Sequence, residues 1–256
     1  MSRRIAVLVF PGTNSEEETL RLLLACGGDA HLVHWSQAAL LPGFDAYVLP
    51  GGFAYEDRIR AGAIAAHDAM MDPVLAGAAQ GKLALGVCNG AQILLEAGLV
   101  PGTGEVRRPT AAFTRNAPAP HFVCRHVHVK LAVDPARCAI TAALPKYALI
   151  PAWTANGEGR LAASEEHLQE IERGEHIAFV YAHADGSVDA SATPNQSALG
   201  IAGLVNREGN VLALMPHPER DAWTFNHPDE RRGDAILATS GGAALFRSFV
   251  EAVART

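Results

Sequence analysis

Cysteine is scarce in this chain of 256 residues: it stands only at positions 26, 88, 124 and 138, with no CxxC pair. That spacing argues against a zinc site and against a disulfide framework, so no metal is expected and the thiols should be free. Long apolar runs are missing as well. Nothing approaches the roughly 20 apolar residues of a membrane span. In "MSRRIAVLVFPGTNS" the apolar run after Arg4 ends before Pro11, too short for a signal peptide and without a small-residue cleavage site. Clustered Lys and Arg are absent, and a formal net charge of −6 speaks against nucleic acid as a main partner. No block of like charge suggests a tail, and no G-x-x-x-x-G-K-[ST] phosphate loop occurs. These absences leave a cytoplasmic protein whose composition, 49% hydrophobic, is that of an ordinary globular chain with ample core.

The first half alternates buried-strand and helix patterns. "IAVLVF" (5–10) is apolar on both faces, as a strand covered on both sides requires. "PGTNSEEETLRLLLACGG" predicts a helix capped by Asn14 or Ser15, acidic in its first turn and ended near Gly27 and Gly28. "AHLVHW" (30–35) and "AYVLPGG" (46–52) read as further strands, and 59–81 as helical material broken near Pro73. "KLALGVC" (82–88) reads as a fourth strand and "GAQILLEAG" as a helix stopped by Gly98. This alternation predicts an α/β fold with a mainly parallel sheet flanked by helices, and ligands in such sheets sit beyond the carboxyl ends of the strands. The second half is β-rich. Strands are expected over 121–133 and in "HIAFVYAH", "ALGIAGLV" and "VLALMPHPER", with a hairpin turn at "NREGN" (206–210) and a terminal amphipathic helix over 241–253. No repeat or clear linker divides the chain, so a single domain over 1–256 is expected.

One cysteine stands in a pattern. In "LALGVCNGAQILLEAG" (83–98), Cys88 joins an apolar run to an amphipathic one, with Gly86 and Gly90 two residues to either side. A strand that turns sharply into a helix needs small neighbours there, and its turn residue projects at the helix N-terminus, where partial positive charge favours a thiolate. The same stretch also fits a buried, inert thiol. A cysteine nucleophile needs a base and a group to orient that base. "MPHPER" (215–220) offers both, because His217 and Glu219 would face one side of an extended segment stiffened by Pro216 and Pro218. A surface turn with a chance ion pair has the same sequence. Acyl transfer also needs N–H donors for the oxyanion. "LPGGFAYED" offers Gly51 and Gly52, whose backbone can approach a substrate closely, and the Asn89 N–H directly after the nucleophile is a second donor. Standing alone, PGG fits a plain strand-ending turn.

Together these pieces resemble the class I glutamine amidotransferases, and within them the glutaminase subunits of phosphoribosylformylglycinamidine synthases of purine biosynthesis. The resemblance is carried by "FPGTN" (10–14), "LPGGFAYEDRIRAGAIAAHD" (49–68), "GVCNGAQIL" (86–94), Arg115, Asn116, Phe122 and the neighbouring "CR" (124–125), "GEGR" (157–160) and "NREGNVLALMPHPER" (206–220). It implies the flavodoxin-like fold of that family with an added β-rich second half. It also implies a triad of Cys88, His217 and Glu219, an oxyanion hole at Gly52 and Asn89, and glutamine-site candidates at Gly51, Gln92, Arg115, Asn116 and Phe122. Cys88 would attack the side-chain amide of glutamine, release ammonia, and lose glutamate to water from the thioester. No cofactor is then expected in this chain: ATP and Mg belong to a separate synthetase subunit, with room for a small third subunit. Two departures accompany the likeness. Glu56 stands where the family usually has glycine, which suggests that the loop need not take φ > 0. Asn156-Gly157-Glu158-Gly159 replaces the usual His-Gly-Glu-Gly. Another cysteine hydrolase of the superfamily is a second reading, disfavoured by the Glu two residues past the His. A non-catalytic glutamine sensor or scaffold is a third, which has no need of Cys88, His217 and Glu219.

Other features read more plainly. His126 and His128 in "CRHVHVK" could be metal ligands, but no acidic or cysteine companion has ligand spacing, so a strand face is the simpler reading. "HPDERR" (227–232) reads as a solvated turn. Gly12, Thr13 and Asn14 could bind an anion at a helix N-terminus or simply cap that helix.

Overall fold

The apolar runs of the first half all become strands. In the computed structural model, which describes residues 3–228 and 238–256, β1 (Arg4–Val9) leads through α1 (Glu16–Ala25) to β2 (Asp29–His34), followed by β3 (Ala46–Leu49), α2 (Met71–Ala79), β4 (Leu83–Val87) and α3 (Asn89–Glu96). Both β3 and β4 are buried at every position, as strands covered on two faces must be. α1 ends as its glycines require: the N–H groups of Gly27 and Gly28 reach back to the Leu24 and Leu23 carbonyls, with Gly27 at φ 86. Pro73 does not break a helix. It lies in the first turn of α2, where a missing N–H has no partner to lose, and residues 59–70 before it form turns and one short 3-10 helix, Ala65–His67.

The second half runs β5 (Ala111–Thr114), β6 (Val123–Leu131), β7 (Leu149–Asn156), β8 (Arg160–Ala163), α4 (Glu165–Arg173), β9 (Ile177–Ala182), β10 (Ile201–Val205), β11 (Val211–Leu214) and α5 (Ala243–Arg255). Among the described residues the main sheet has the order β2-β1-β3-β4-β11-β10-β9-β6-β7, and β5 pairs with β8 apart from it. From β2 to β11 neighbours are parallel; from β11 outward they are antiparallel. The fold is thus the expected α/β sheet with a β-rich extension. "NREGN" makes the β10–β11 hairpin, with the Asn206 N–H on the Val211 carbonyl at 3.0 Å. α4 has no counterpart in the expectations: only Ile171 is buried, so its charged majority masks the period, although Ser164 caps it through the His167 N–H. No helix among the described residues is long and apolar enough to cross a membrane. Residues 229–232 of the expected "HPDERR" turn lie outside the described residues.

One pairing positions the site. β11, the last strand among the described residues, lies beside β4 in parallel, with Leu214 opposite Val87. Cys88 and the segment after Leu214 therefore emerge at the same edge of the sheet, at the carboxyl ends of its strands.

Candidate active site

Cys88 caps α3 with φ 52 and ψ −109, a conformation that side chains other than glycine seldom adopt. Its neighbours make the turn possible. A Cβ on Gly86 would stand 2.6 Å from the Gly90 carbonyl oxygen, and one on Gly90 would overlap the Leu49 carbonyl. The Cys88 N–H donates to the Leu214 carbonyl at 2.9 Å, which ties the turn to β11. Burial raises the Cys26 and Cys138 thiols, Cys138 to about 11, as suits inert structural cysteines.

Two strand-ending glycines meet the turn. Gly51 packs so closely that a Cβ there would lie 2.5 Å from His217 Cε1 and 3.4 Å from Cys88 Cβ. The thiol, the imidazole and the 51–52 turn thus share one place. Gly12, Thr13 and Asn14 do not cap α1: the Asn14 and Ser15 N–H groups donate to the Gly51 carbonyl (3.2 and 3.1 Å), so this loop braces the PGG turn. Gly52 is held against it, since a Cβ there would lie 2.7 Å from both the Gly12 oxygen and Thr13 Cα. Across the site the Asn89 side chain accepts from the Ala54 N–H at 2.9 Å. The backbone of Gly52 and the backbone N–H of Asn89, the first and hence unpaired position of α3, are therefore held at a fixed spacing.

His217 is extended and joined to β7 by two backbone bonds with Trp153, 2.7 and 3.1 Å. The chain beyond it is not extended as the sequence suggested. Pro218 opens a tight turn over Pro218–Asp221, and that turn still swings Glu219 back, with Oε1 2.5 Å from His217 Nδ1. Both side chains are almost wholly buried. Burial disfavours charge on this imidazole, but charge on Cys88 and Glu219, with hydrogen bonds to both, holds it up to about 10. The imidazole is thus oriented on one nitrogen and faces the thiol with the other. Arg220, Glu18 and Ser15 fasten this segment, a role not read from the sequence for any of them. Arg220 donates to Glu18 Oε1 and Ser15 Oγ, each at 2.9 Å, joining it to the first turn of α1. The signal lay in "NSEEE", whose polar residues had been read as caps; Ser15 holds the cap position without a capping bond.

The remaining candidates gather around the 156–159 loop. The Gln92 amide donates to the Glu158 carbonyl at 2.6 Å and accepts from Asn89 at 2.9 Å. Asn116 is buried and donates to the His121 and Asn156 carbonyls while accepting from the Gly159 N–H. Both amides are engaged within the protein, tethering the loop. Arg115 is exposed with its guanidinium 4.0 Å from Glu158, and Phe122 is exposed. The departure at Glu56 is corrected by its backbone. The loop does take φ > 0 there, at 59, and at Tyr55 and Asp57 too (55 and 51). Hydrogen bonds from the Tyr55 N–H to Pro11 and from its hydroxyl to Asp68, with Arg58 on the Glu56 carboxylate, accompany this strained course. At Asp57, burial and then the Glu158 charge push the carboxyl up to about 6, against an Asn89 bond that lowers it. Asn156, the second departure, donates to Thr154 Oγ1 at 2.7 Å.

A thiol at the carboxyl edge of a parallel sheet, with an imidazole poised on a carboxylate, is equipped to accept an acyl group and pass it to water. The sequence pattern of the CobB/CobQ-like glutamine amidotransferase domain matches residues 2–252. Phosphoribosylformylglycinamidine synthase subunit PurQ of Bradyrhizobium diazoefficiens is 39% identical over 249 residues, 97% of each chain. The PurQ subunit of Rhodospirillum rubrum is 37% identical over 249 residues, 97% of this chain and 98% of that one. Of solved structures, PurLQS from Thermotoga maritima superposes with a TM-score of 0.73 at 27% identity, over 98% of this chain and 99% of that chain. The glutaminase domain of CTPS from Trypanosoma brucei, 14% identical with a TM-score of 0.58 over 100% of this chain and 95% of that one, shares the fold alone. The chain belongs to the glutamine amidotransferase family and, within it, to the PurQ subunits of phosphoribosylformylglycinamidine synthase.

Proposed function

We propose that the chain splits glutamine through Cys88, His217 and Glu219 and delivers the ammonia to a separate ATP-dependent synthetase subunit that makes formylglycinamidine ribonucleotide in purine biosynthesis. The observation that carries the reading is the His217 imidazole, held by Glu219 at 2.5 Å and packed with Cys88 against Gly51. His217 holds the proton drawn from the Cys88 thiol, and Sγ attacks the amide carbon as the thiolate. The oxyanion accepts hydrogen bonds from the backbone N–H groups of Gly52 and Asn89. His217 then gives its proton to the leaving nitrogen, ammonia departs, and a glutamyl thioester remains. Water, deprotonated by His217, attacks that thioester; glutamate leaves and the thiol is restored. Glu219 keeps the imidazole in the useful tautomer and stabilises its charge.

ATP and Mg are assigned to the synthetase partner, and a small third subunit fits the likeness to PurLQS. The free thiols favour a reducing compartment, and we place the chain in the cytoplasm. The test is made on the complex. An electrophilic glutamine analogue should add its mass to Cys88, and Cys88→Ala should abolish glutamine-driven synthesis while ammonia-driven synthesis continues. Loss of both activities would assign the cysteine to architecture and overturn the reading.

A further inference from the structure

The reaction leaves a cluster of histidines unused. His126 and His128 share one face of β6, and along the chain they have no acidic companion at ligand spacing. The fold supplies one. Asp221, 95 residues away, places Oδ2 2.6 Å from His126 Nε2. His227 joins them: the three residues offer one ligand atom each, all within 4.8 Å of one another. The His126 ring also meets His128 and His227 edge-on, with centroids 5.1 and 5.3 Å apart.

We propose that His126, Asp221 and His227 form a binding site for one divalent transition-metal ion of the zinc type. Two imidazole nitrogens and a carboxylate oxygen select zinc, cobalt or nickel over magnesium and calcium, which take oxygen donors. Bonds of about 2.0–2.1 Å in a tetrahedral shell separate ligand atoms by about 3.3 Å. The His126–Asp221 pair, now at 2.6 Å, therefore opens by under about an ångström on binding, within reach of side-chain rotation. Asp221 is prepared for the role. Its backbone carbonyl accepts from Ser240 Oγ and from the Gly242 N–H (3.2 Å), and the same Ser240 hydroxyl lies 3.2 Å from Oδ1, which anchors the turn that carries the carboxylate. The Asp221 side chain is 0% exposed, so its oxygens face protein groups and not water, with Oδ2 aimed at His126.

The position gives the ion a use. Asp221 closes the tight turn that begins immediately after His217, so the ion would fasten that turn to β6 and steady the catalytic imidazole without touching substrate. These residues are separate from Glu18, His217 and Glu219, a second group of potential ligands that joins α1 to the proposed base and its carboxylate.

The test uses metal-free, full-length Cys88→Ala protein, which removes the nucleophile as a competing ligand, titrated with Zn²⁺ alone by calorimetry and with Co²⁺ for its spectrum. The expected result is one saturable equivalent, a tetrahedral cobalt spectrum without thiolate charge transfer, and a zinc-dependent rise in thermal midpoint. His126→Ala/His227→Ala should weaken zinc binding by at least about 100-fold. Asp221→Asn, which keeps shape and the Ser240 bond, should also weaken it and so covers the case in which the double variant does not fold. The proposal is overturned if no saturable binding occurs, if the histidine and aspartate variants bind as their parent does, if cobalt shows thiolate charge transfer, or if His217→Ala alone abolishes binding.

Discussion

The proposed nucleophile and its proposed base are held by opposite means. Cys88 sits in a turn that its own neighbours enforce, since Gly86 and Gly90 alone permit the close packing of β4, α3 and the end of β3. His217 sits in a segment held from outside, by Trp153 on β7, by Glu18 and Ser15 through Arg220, and by His126 on β6 through Asp221. A strained backbone position demands particular residues beside it. A relay demands that side chains from several distant elements converge, and its adjacent residues say little about which.

That contrast is broken most severely at Glu219. Glu219→Gln keeps the shape of the base segment but removes the charge that orients and stabilises the imidazolium. Glutamate release by the complex should fall about 10³- to 10⁴-fold in kcat with KM nearly unchanged. A pH signature accompanies it. His217 is raised from 6.5 to about 10, so its charged form stabilises the fold fully below about pH 6.5, and that contribution is lost as pH rises towards 10. With one of its two anionic partners gone, the imidazole titrates lower. The thermal midpoint of Glu219→Gln should therefore fall less between these limits than that of the parent. Equal pH profiles would mean that Cys88 alone sustains the imidazolium.

The nucleophile side breaks in stability instead. Gly90→Ala drives a methyl into the Leu49 carbonyl, and the enforced turn cannot yield without parting α3 from β3. A loss of about 3 kcal/mol or more is expected in urea unfolding. Gly157→Ala is the control: no atom lies within 4 Å of the added methyl, and the change should stay within about 0.5 kcal/mol. If both substitutions cost alike, the tightness of the Cys88 turn does not explain its glycines.

The same contrast decides what could be read in advance. β1, β3 and β4 announce themselves because strands covered on both faces are continuously apolar, and the elbow announces itself through its two glycines. Asp221 beside His126 could not be read, because only the placement of β6 and of the turn after His217 brings them together. Gln92 and Asn116 were visible as unusual polar residues, but whether a buried amide meets a ligand or a carbonyl depends on the 156–159 loop. Glu56 misled for a related reason. A residue that disfavours φ > 0 still adopts it when bonds on both sides of it fix the loop, as those of Tyr55 and Arg58 do.

The smallest effect concerns the antiparallel half, where polar groups are placed by distant partners and a buried hydroxyl is left without one. Tyr181 on β9 is 0% exposed, and its hydroxyl has no hydrogen-bond partner among the described residues. Burial, and then charge at Cys88, both push its ionisation upward, so it remains a neutral phenol. An unpaired buried hydroxyl costs about 1–3 kcal/mol, and removing it without altering the ring recovers part of that. Tyr181→Phe should therefore raise stability by about 1 kcal/mol in urea unfolding, the opposite sign to Gly90→Ala. A loss would show that the hydroxyl is bonded in the working protein. Because the charge it senses is that of Cys88, a matching fall in glutamine turnover would locate that bond at the reaction centre.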